Sequence, residues 1–559
     1  MKNHKIILSL CLILAISSVS FLPCLKNGFI NWDDQEYVTQ NKIIMELSGR
    51  NIETIFSVSY MGHYHPLTLL SYSLEYRFFK LNPFIYHLTN LILHLMNGLL
   101  VFWVILMLKG GVLISLVVSL LFAIHPLHVE SVAWISERKD VLYSFFFLGS
   151  MVVYLYYLKT MGMRYYLLSL FLFVLSLLSK SMAVTLPIVL FLCDYLLHRK
   201  FDRKSLIEKI PFLAIAFIFG IMAVFAQRST EIMSQKSSPS FIKNISIMSE
   251  GVVSYFSKLI LPIKLSCVYP SIKGMEGPWS YVYSLVVVGL LITGIILVML
   301  GKYRNVIFGP LFFIVTLLPA LPIKIVADRY TYIPSIGIFF IAAEGFDWLY
   351  RSKMEHKKMM NTILAILFIG ILSTFSFLTW ERCQVWRDSL SLWNNVLKNY
   401  PDTPIAYNNL GEAYLRKGDY ERAISNYNQA LKTNPEFRRA NYFFVNRGTA
   451  YLMKGDYEKA IADYHEALKI NPNDANAYHH RGTAYLSKGD PERSIADFNK
   501  ALKINPRYAE TYLNKALACE KIGRMQEALE SYKGFIENVP PHYSSYVNYA
   551  KKRIRELSR

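Results

Sequence analysis

Arg447-Gly448-Thr449-Ala450-Tyr451 returns as Arg481-Gly482-Thr483-Ala484-Tyr485. The same spacing underlies Leu410-Gly411-x-x-Tyr414 before them and Lys515-Ala516-x-x-Cys519 after them. Turn glycines follow at Gly418, Gly455, Gly489 and Gly523, and prolines close the units at Pro435, Pro472, Pro506 and Pro540. The intervals are 37, 34 and 34 residues, the first widened by three residues near Arg438–Tyr442. Small residues recur where paired helices must approach, at Ala423, Ala460, Ser494 and Ala528 and again at Ala430, Ala467 and Ala501. Such a period describes two antiparallel helices per unit, which stack because one unit alone cannot bury its apolar face.

This is the tetratricopeptide pattern, and it predicts four repeats over 403–541. Asp388–Tyr400, ending at Pro401, reads as a preceding half-repeat within a junction at 381–402, and 542–559 as a capping helix. Asn409, Asn446, His480 and Asn514 occupy equivalent positions on the first helices. They are candidates for an acceptor-peptide groove, since amides bind peptide backbone without reading its sequence. Asn at this position is equally part of the repeat consensus.

Toward the N-terminus the composition reverses. The 559 residues are 53% hydrophobic, 14% aromatic and only 18% charged, so two or more domains and a membrane part are expected. The net charge is +20, of which +14 falls in 1–400. That balance suits anionic lipid or phosphate. Nucleic acid is excluded as a partner, because no basic run is interleaved with exposed aromatics. The six cysteines show neither CxxC pairing nor metal-like histidine spacing, so neither a disulfide framework nor a zinc site is expected.

Apolar segments at 6–22, 84–108, 110–124, 141–158, 164–179, 182–197, 210–226, 280–300, 306–322, 330–348 and 359–379 predict a transmembrane domain over 1–380 with about 11 spans. Several are short, which implies tilt or thinning. The fold class is thus all-α: a polytopic helical bundle followed by an α-solenoid. With the N-terminus inside, the basic connections Arg199-Lys200…Arg203-Lys204, Lys302…Arg304 and Arg351…Lys353…Lys357-Lys358 are cytoplasmic, and the repeats lie outside. Ile247–Leu261 breaks this parity and reads as re-entrant or interfacial.

The outer loops hold the unusual polar residues. Asn31-Trp32-Asp33-Asp34-Gln35-Glu36 places carboxylates directly after the first span, which is expensive beside a membrane unless used. His125–Asp140 gathers His125, His128, Glu130, Glu137, Arg138, Lys139 and Asp140. HxxHxE is not a metal-ligand spacing, so no metal is expected, whereas Arg138 and Lys139 suit phosphate oxygens. Ser179-Lys180-Ser181 and Asp328-Arg329-Tyr330 fall on the same side. Tyr86, His87, Asn90, His94 and Asn97 form one polar stripe of a helix, which faces a bundle interior or a wet cavity.

Together, Asn31-Trp32-Asp33-Asp34-x-x-Tyr37-Val38-x-x-Asn41, Pro66-Leu67-Thr68, Tyr86-His87-Leu88-x-Asn90, His125–Asp140, Ser179-Lys180 and Asp328-Arg329-Tyr330-x-Tyr332-x-Pro334 resemble the transmembrane and tetratricopeptide-repeat protein O-mannosyltransferases and their bacterial relatives. The resemblance covers essentially the whole chain. It implies a GT-C glycosyltransferase that inverts the sugar, draws on a polyprenyl-phosphate sugar donor and needs no cofactor beyond it. A catalytic acid is implied in the first outer loop, matching Asp33 and Asp34, with Asp34 favoured as base and Asp33 orienting the acceptor. Arg138, Lys139, Lys180 and Arg329 are candidates for the donor phosphate. Glu36, His65, His87, His125, His128, Glu130 and Asp328 are expected to line the cavity. One departure is His65, where animal members commonly carry Arg, so phosphate binding there depends on histidine protonation.

The implied partners are the polyprenyl-phosphate sugar, membrane lipid and an acceptor polypeptide held by the repeats. Two other readings stand: a non-enzymatic membrane scaffold, which tolerates change at Asp33 and Asp34, and a glycosyltransferase building polysaccharide. The expected location is a bacterial inner membrane with periplasmic repeats.

Overall fold

The computed structural model describes residues 2–109, 111–228, 241–269, 278–299, 303–323, 326–352, 357–433, 440–539 and 544–558. The sequence landmarks Lys302, Lys324, Lys353, Pro435 and Pro540 lie outside these residues. The chain divides into two units, Met1–Asn395 and Val396–Arg559.

In the first unit the helices run α1 (Lys2–Phe21), α2 (Gly49–Ser57), α3 (Pro66–Phe79), α4 (Pro83–Lys109), α5 (Val112–Ile124), α6 (Val129–Ala133), α7 (Arg138–Thr160), α8 (Met163–Ser179), α9 (Leu186–Leu196), α10 (Arg203–Ile207), α11 (Ile210–Arg228), α12 (Phe241–Ile260), α13 (Pro278–Met299), α14 (Arg304–Leu317), α15 (Ser335–Arg351) and α16 (Lys357–Val385). α17 (Ser389–Asn399) crosses the division. Each of the eleven apolar segments read from the sequence overlaps one of these helices. Among the described residues, five stretches are long and apolar enough to cross a membrane: Asn3–Lys26, Pro83–Lys109, Ile135–Thr160, Arg203–Gln227 and Lys357–Val385. α5 and the Pro126–Ala133 segment form a sixth candidate bent by 49° at Pro126, where proline removes a backbone donor. This is the organisation of a multi-pass membrane protein. Ile247–Leu261 falls within and just past α12.

The distribution of polarity fits a lipid solvent. Phe217, Ile218 and Phe225 on α11 and Ile366, Leu367 and Ile369 on α16 point outward, while Asn90, His94, Asn97, Ser115 and Ser150 are buried. Small polar groups join helices: Ser150 Oγ donates to Ser169 O at 2.7 Å and Ser176 Oγ to Tyr143 O at 2.8 Å, clasping α7 to α8. α14 and α15 cross backbone to backbone at Gly309 and Gly337, where a Cβ on Gly309 would lie 2.5 Å from Gly337 O.

The second unit stacks α18 (Pro404–Arg416), α19 (Tyr420–Thr433), α20 (Ala440–Lys454), α21 (Tyr457–Ile470), α22 (Ala475–Lys488), α23 (Pro491–Ile504), α24 (Ala509–Lys521), α25 (Met525–Asn538) and α26 (Ser544–Leu557). The repeat glycine has a steric reason: a Cβ on Gly448 would sit 2.9 Å from the Tyr464 ring of the partner helix. Arg447 grips Asp463 with Nε to Oδ2 at 2.8 Å and Nη2 to Oδ1 at 2.6 Å. One repeat on, Arg481 grips Asp497 at 2.7 and 2.9 Å. These forks tie the two helices of each repeat together.

Candidate active site

The loop that follows α1 is held in place from both sides. Asn27 Nδ2 donates to Cys383 O at 3.0 Å, Gly28 N to Arg387 O at 2.9 Å and Asn31 N to Ser389 Oγ at 2.9 Å. Beneath it, the Trp32 ring lies 6.4 Å from Trp134 and 5.1 Å from Trp393, and Trp134 Nε1 donates to Trp32 O at 2.8 Å. Asp33 then adopts φ +61°, a left-handed conformation tolerated by Asp but strained for most residues. This turn sends the two neighbouring carboxylates to different places.

Asp34 goes inward. Its Oδ2 accepts from Ile30 N at 3.0 Å, and its Oδ1 accepts from Ser136 N at 3.0 Å and Ser136 Oγ at 2.5 Å. Burial lifts its carboxyl to about 7 against the pull of these donors. Asp33 is half-buried, and among the described residues no side chain or backbone N–H donates to its carboxylate. Burial raises its pKa; Lys139 opposes the rise and Glu137 adds to it. The favoured base of the sequence reading is therefore the staple, and its neighbour is the available carboxylate.

Glu137 is the hub beside Asp33. Lys139 Nζ lies 3.1 Å from its Oε1, Arg329 Nε 3.3 Å from the same oxygen, and Lys180 Nζ 3.6 Å from Oε2. Lys180 also pairs with Asp140, and Arg329 Nη1 reaches Glu130 Oε1 at 2.5 Å. The three cations rest on aromatic faces, Lys139 on Tyr37 at 4.7 Å, Lys180 on Tyr330 at 5.7 Å and Arg329 on Trp134 at 5.5 Å. None is fully enclosed: their side chains are 10%, 13% and 17% exposed. Such a preorganised cluster of donors suits an anionic oxygen.

Other expected residues sit elsewhere. Arg138 is fully buried, with Nε on Asn90 Oδ1 at 2.9 Å, Nη1 on Glu75 Oε2 at 2.5 Å and Nη2 on Tyr86 O at 2.9 Å. Its fork is spent on the fold, which removes it from the phosphate group. His125 and His128 are buried and bonded within the fold. His125 Nε2 bonds Leu259 O at 3.1 Å, and His128 bonds Phe122 O at 2.7 Å and Ser335 Oγ at 3.2 Å. His87 is buried against the backbone of Asn27 and Gly28. Glu36 is exposed, and its carbonyl accepts from Tyr60 Oη at 2.5 Å. Asp328 is buried with Tyr269 Oη donating to it at 2.6 Å; burial raises its pKa against Arg382. His65 is buried next to Tyr37, ring centroids 5.4 Å apart, and burial beside Lys139 holds it well below the usual imidazole range. Charge-based phosphate binding by His65 is thereby disfavoured.

In the repeats, Asn446 Nδ2 donates to Asn408 Oδ1 at 2.9 Å, Asn408 Nδ2 to Asn409 Oδ1 at 3.0 Å, and Asn514 Nδ2 to Thr483 Oγ1 at 3.4 Å. His480 stacks on Tyr464 at 5.9 Å. These amides are partly engaged with one another.

Sequence reasoning passed over Glu137 and Asp140 as site residues. Their signal was present: i and i+3 at a helix start share a face, and both flank the assigned cation Lys139.

Bundle, charge cluster and solenoid define a multi-pass membrane protein carrying tetratricopeptide repeats. The tetratricopeptide repeat models match residues 404–437, 475–508 and 509–538, and a further TPR repeat model matches 448–489. Its homologues are named protein O-mannosyl-transferases. One from Caenorhabditis elegans is 24% identical, covering 77% of this chain and 63% of that protein. TMTC3 of Homo sapiens is 23% identical over 76% of this chain and 51% of its own length. TMTC4 of Mus musculus is 25% identical over 74% and 64% respectively. The chain thus spans between about half and two thirds of the length of these relatives.

Proposed function

We propose that the chain transfers a sugar, mannose by the names of its relatives, from a polyprenyl-phosphate donor to a hydroxyl of a protein acceptor on the outer membrane face. The observation that carries this reading is the Asp33 carboxylate, to which none of the described residues donates, in the field of Lys139 and Arg329, two of the three cations gathered on Glu137. Asp33, rather than Asp34, takes the proton of the acceptor hydroxyl as its oxygen attacks the anomeric carbon from the face opposite the phosphate. A raised pKa makes it the stronger base. As the sugar–phosphate bond breaks, Lys139, Lys180 and Arg329 receive the charge on the leaving phosphate. Asp34 holds the loop to Ser136. The basic connections support an N-terminus in the cytoplasm of a bacterial cell and repeats in the periplasm, where they recruit the acceptor.

The test is Asp33→Asn in the full chain, reconstituted in liposomes with polyprenyl-phosphate mannose and a Ser/Thr-containing polypeptide. Transfer should fall by about 10³-fold with an unchanged unfolding midpoint. Full activity in this variant overturns the assignment.

A further inference from the structure

Two buried histidines of the unit, His65 and His87, leave both ring nitrogens unmatched among the described residues; His87 lies inside the span of α4 against the backbone of Asn27 and Gly28, whereas His65 lies outside any candidate span. His94, His125 and His128 each place both ring nitrogens in hydrogen bonds within the fold. His65 is 3% exposed, yet neither Nδ1 nor Nε2 has a hydrogen-bond partner among the described residues. A buried polar group without a hydrogen bond bears its full desolvation penalty, so two such atoms on one ring call for a ligand.

The position of the ring says which ligand. His65 caps the N-terminus of α3, its ring 5.4 Å from that of Tyr37 and 6.2 Å from that of His63. Tyr37 follows Asp33 by one helical turn, its N–H donating to Asp33 O at 2.9 Å, and Lys139 lies 4.7 Å above the Tyr37 ring. The imidazole is therefore at the wall of the Asp33–Glu137 site and one side chain removed from its cations. Phosphate oxygens only accept hydrogen bonds, and Lys139, Lys180 and Arg329 already serve that need. A neutral imidazole offers one donor and one acceptor, which a sugar hydroxyl complements at both ends.

We propose that His65 is a specificity residue that reads hydroxyls of the sugar being transferred, donating from one ring nitrogen and accepting at the other. This rests on the glycosyl-transfer reading above. It assigns His65 no contact with the reacting proton, so it positions and selects rather than catalyses. A site built on a buried hydrogen bond to a hydroxyl rejects the analogue lacking it, because its own polar atoms are left unpaired.

The experiment compares polyprenyl-phosphate mannose with its 2-, 3-, 4- and 6-deoxy analogues as donors to the full-length protein in liposomes. In the native protein one or two deoxy donors should lose at least about 100-fold in kcat/KM. In His65→Leu that discrimination should collapse to within a few-fold, and His65→Gln, which keeps a donor and an acceptor, should restore part of it. The ratio is taken on one preparation, so a poorly folded fraction cancels. Undiminished discrimination in His65→Leu, or none in the native protein, overturns the proposal while leaving the transferase reading intact. A native protein that transfers sugar from none of these donors overturns both.

Discussion

The two ends of α7 carry the same kinds of side chain in opposite arrangements. At its N-terminal end Lys139, Lys180 and Arg329 share Glu137, and Asp33 beside them accepts no hydrogen bond from the described residues. At its C-terminal end two cations, Lys209 and Arg199, are laced to two anions and to the tyrosines of α7. Lys209 pairs with Asp194 and donates to Tyr154 Oη at 2.7 Å; Arg199 bridges Asp194 at 3.2 Å and Glu208 at 2.6 Å; Tyr157 Oη donates to Glu208 at 2.7 Å. The clusters lie at opposite ends of the candidate span Ile135–Thr160. A closed network holds helices, whereas an open one has bonding capacity left for a ligand.

The contrast breaks most directly at Lys209. Lys209→Met leaves Asp194 buried with an incomplete partner set and should destabilise the detergent-solubilised chain by about 3–5 kcal/mol, while the folded remainder keeps its turnover number. An unchanged unfolding midpoint would erase the distinction between the two ends. At the open end, Arg329→Lys retains the charge but loses the fork between Glu130 and Glu137. It should lower kcat/KM for the donor by about 10–100-fold with little change in stability. Equal losses of stability at both ends would show that the cation cluster is structural. The smallest effect is a pH slope at Asp34. Its carboxyl titrates at about 7 in the folded chain against 3.8 as the ordinary value, so the native state binds the extra proton between those limits. This contribution to stability is complete at the acid side of the window and disappears as pH rises through 7. Asp34→Asn should flatten the fall in unfolding midpoint between pH 5 and pH 8, and an unaltered slope would move the titration to another group.

Much of the architecture was legible in the sequence because its causes are local or periodic. Gly448 recurs with its glycine counterparts since the ring of Tyr464 occupies the space of a Cβ. Each apolar run forms a helix since only internal hydrogen bonding is tolerated in lipid. The site was legible in its ingredients and not in its assignments. Arg138 and Lys139 are adjacent in sequence but point about 100° apart on a helix. One is consumed by Glu75, Asn90 and Tyr86, and the other faces Asp33. Asp33 and Asp34 likewise part at a single left-handed residue, which spacing does not announce. The histidines of His125–His128 looked chemical because their hydrogen-bond partners, Leu259 and Ser335, lie far along the chain.

The stitches on the loop that follows α1 have a consequence for biogenesis. Asn27, Gly28 and Asn31 bond to Cys383, Arg387 and Ser389, more than 350 positions later, and Trp393 Nε1 donates to Asn31 Oδ1 at 2.8 Å. The ribosome delivers Asp33 long before the clasp that fixes it, which runs from the end of α16 into α17. Nascent chains that end before Ser389 therefore lack the finished loop, and the site is completed only once the helices of the first unit have been made.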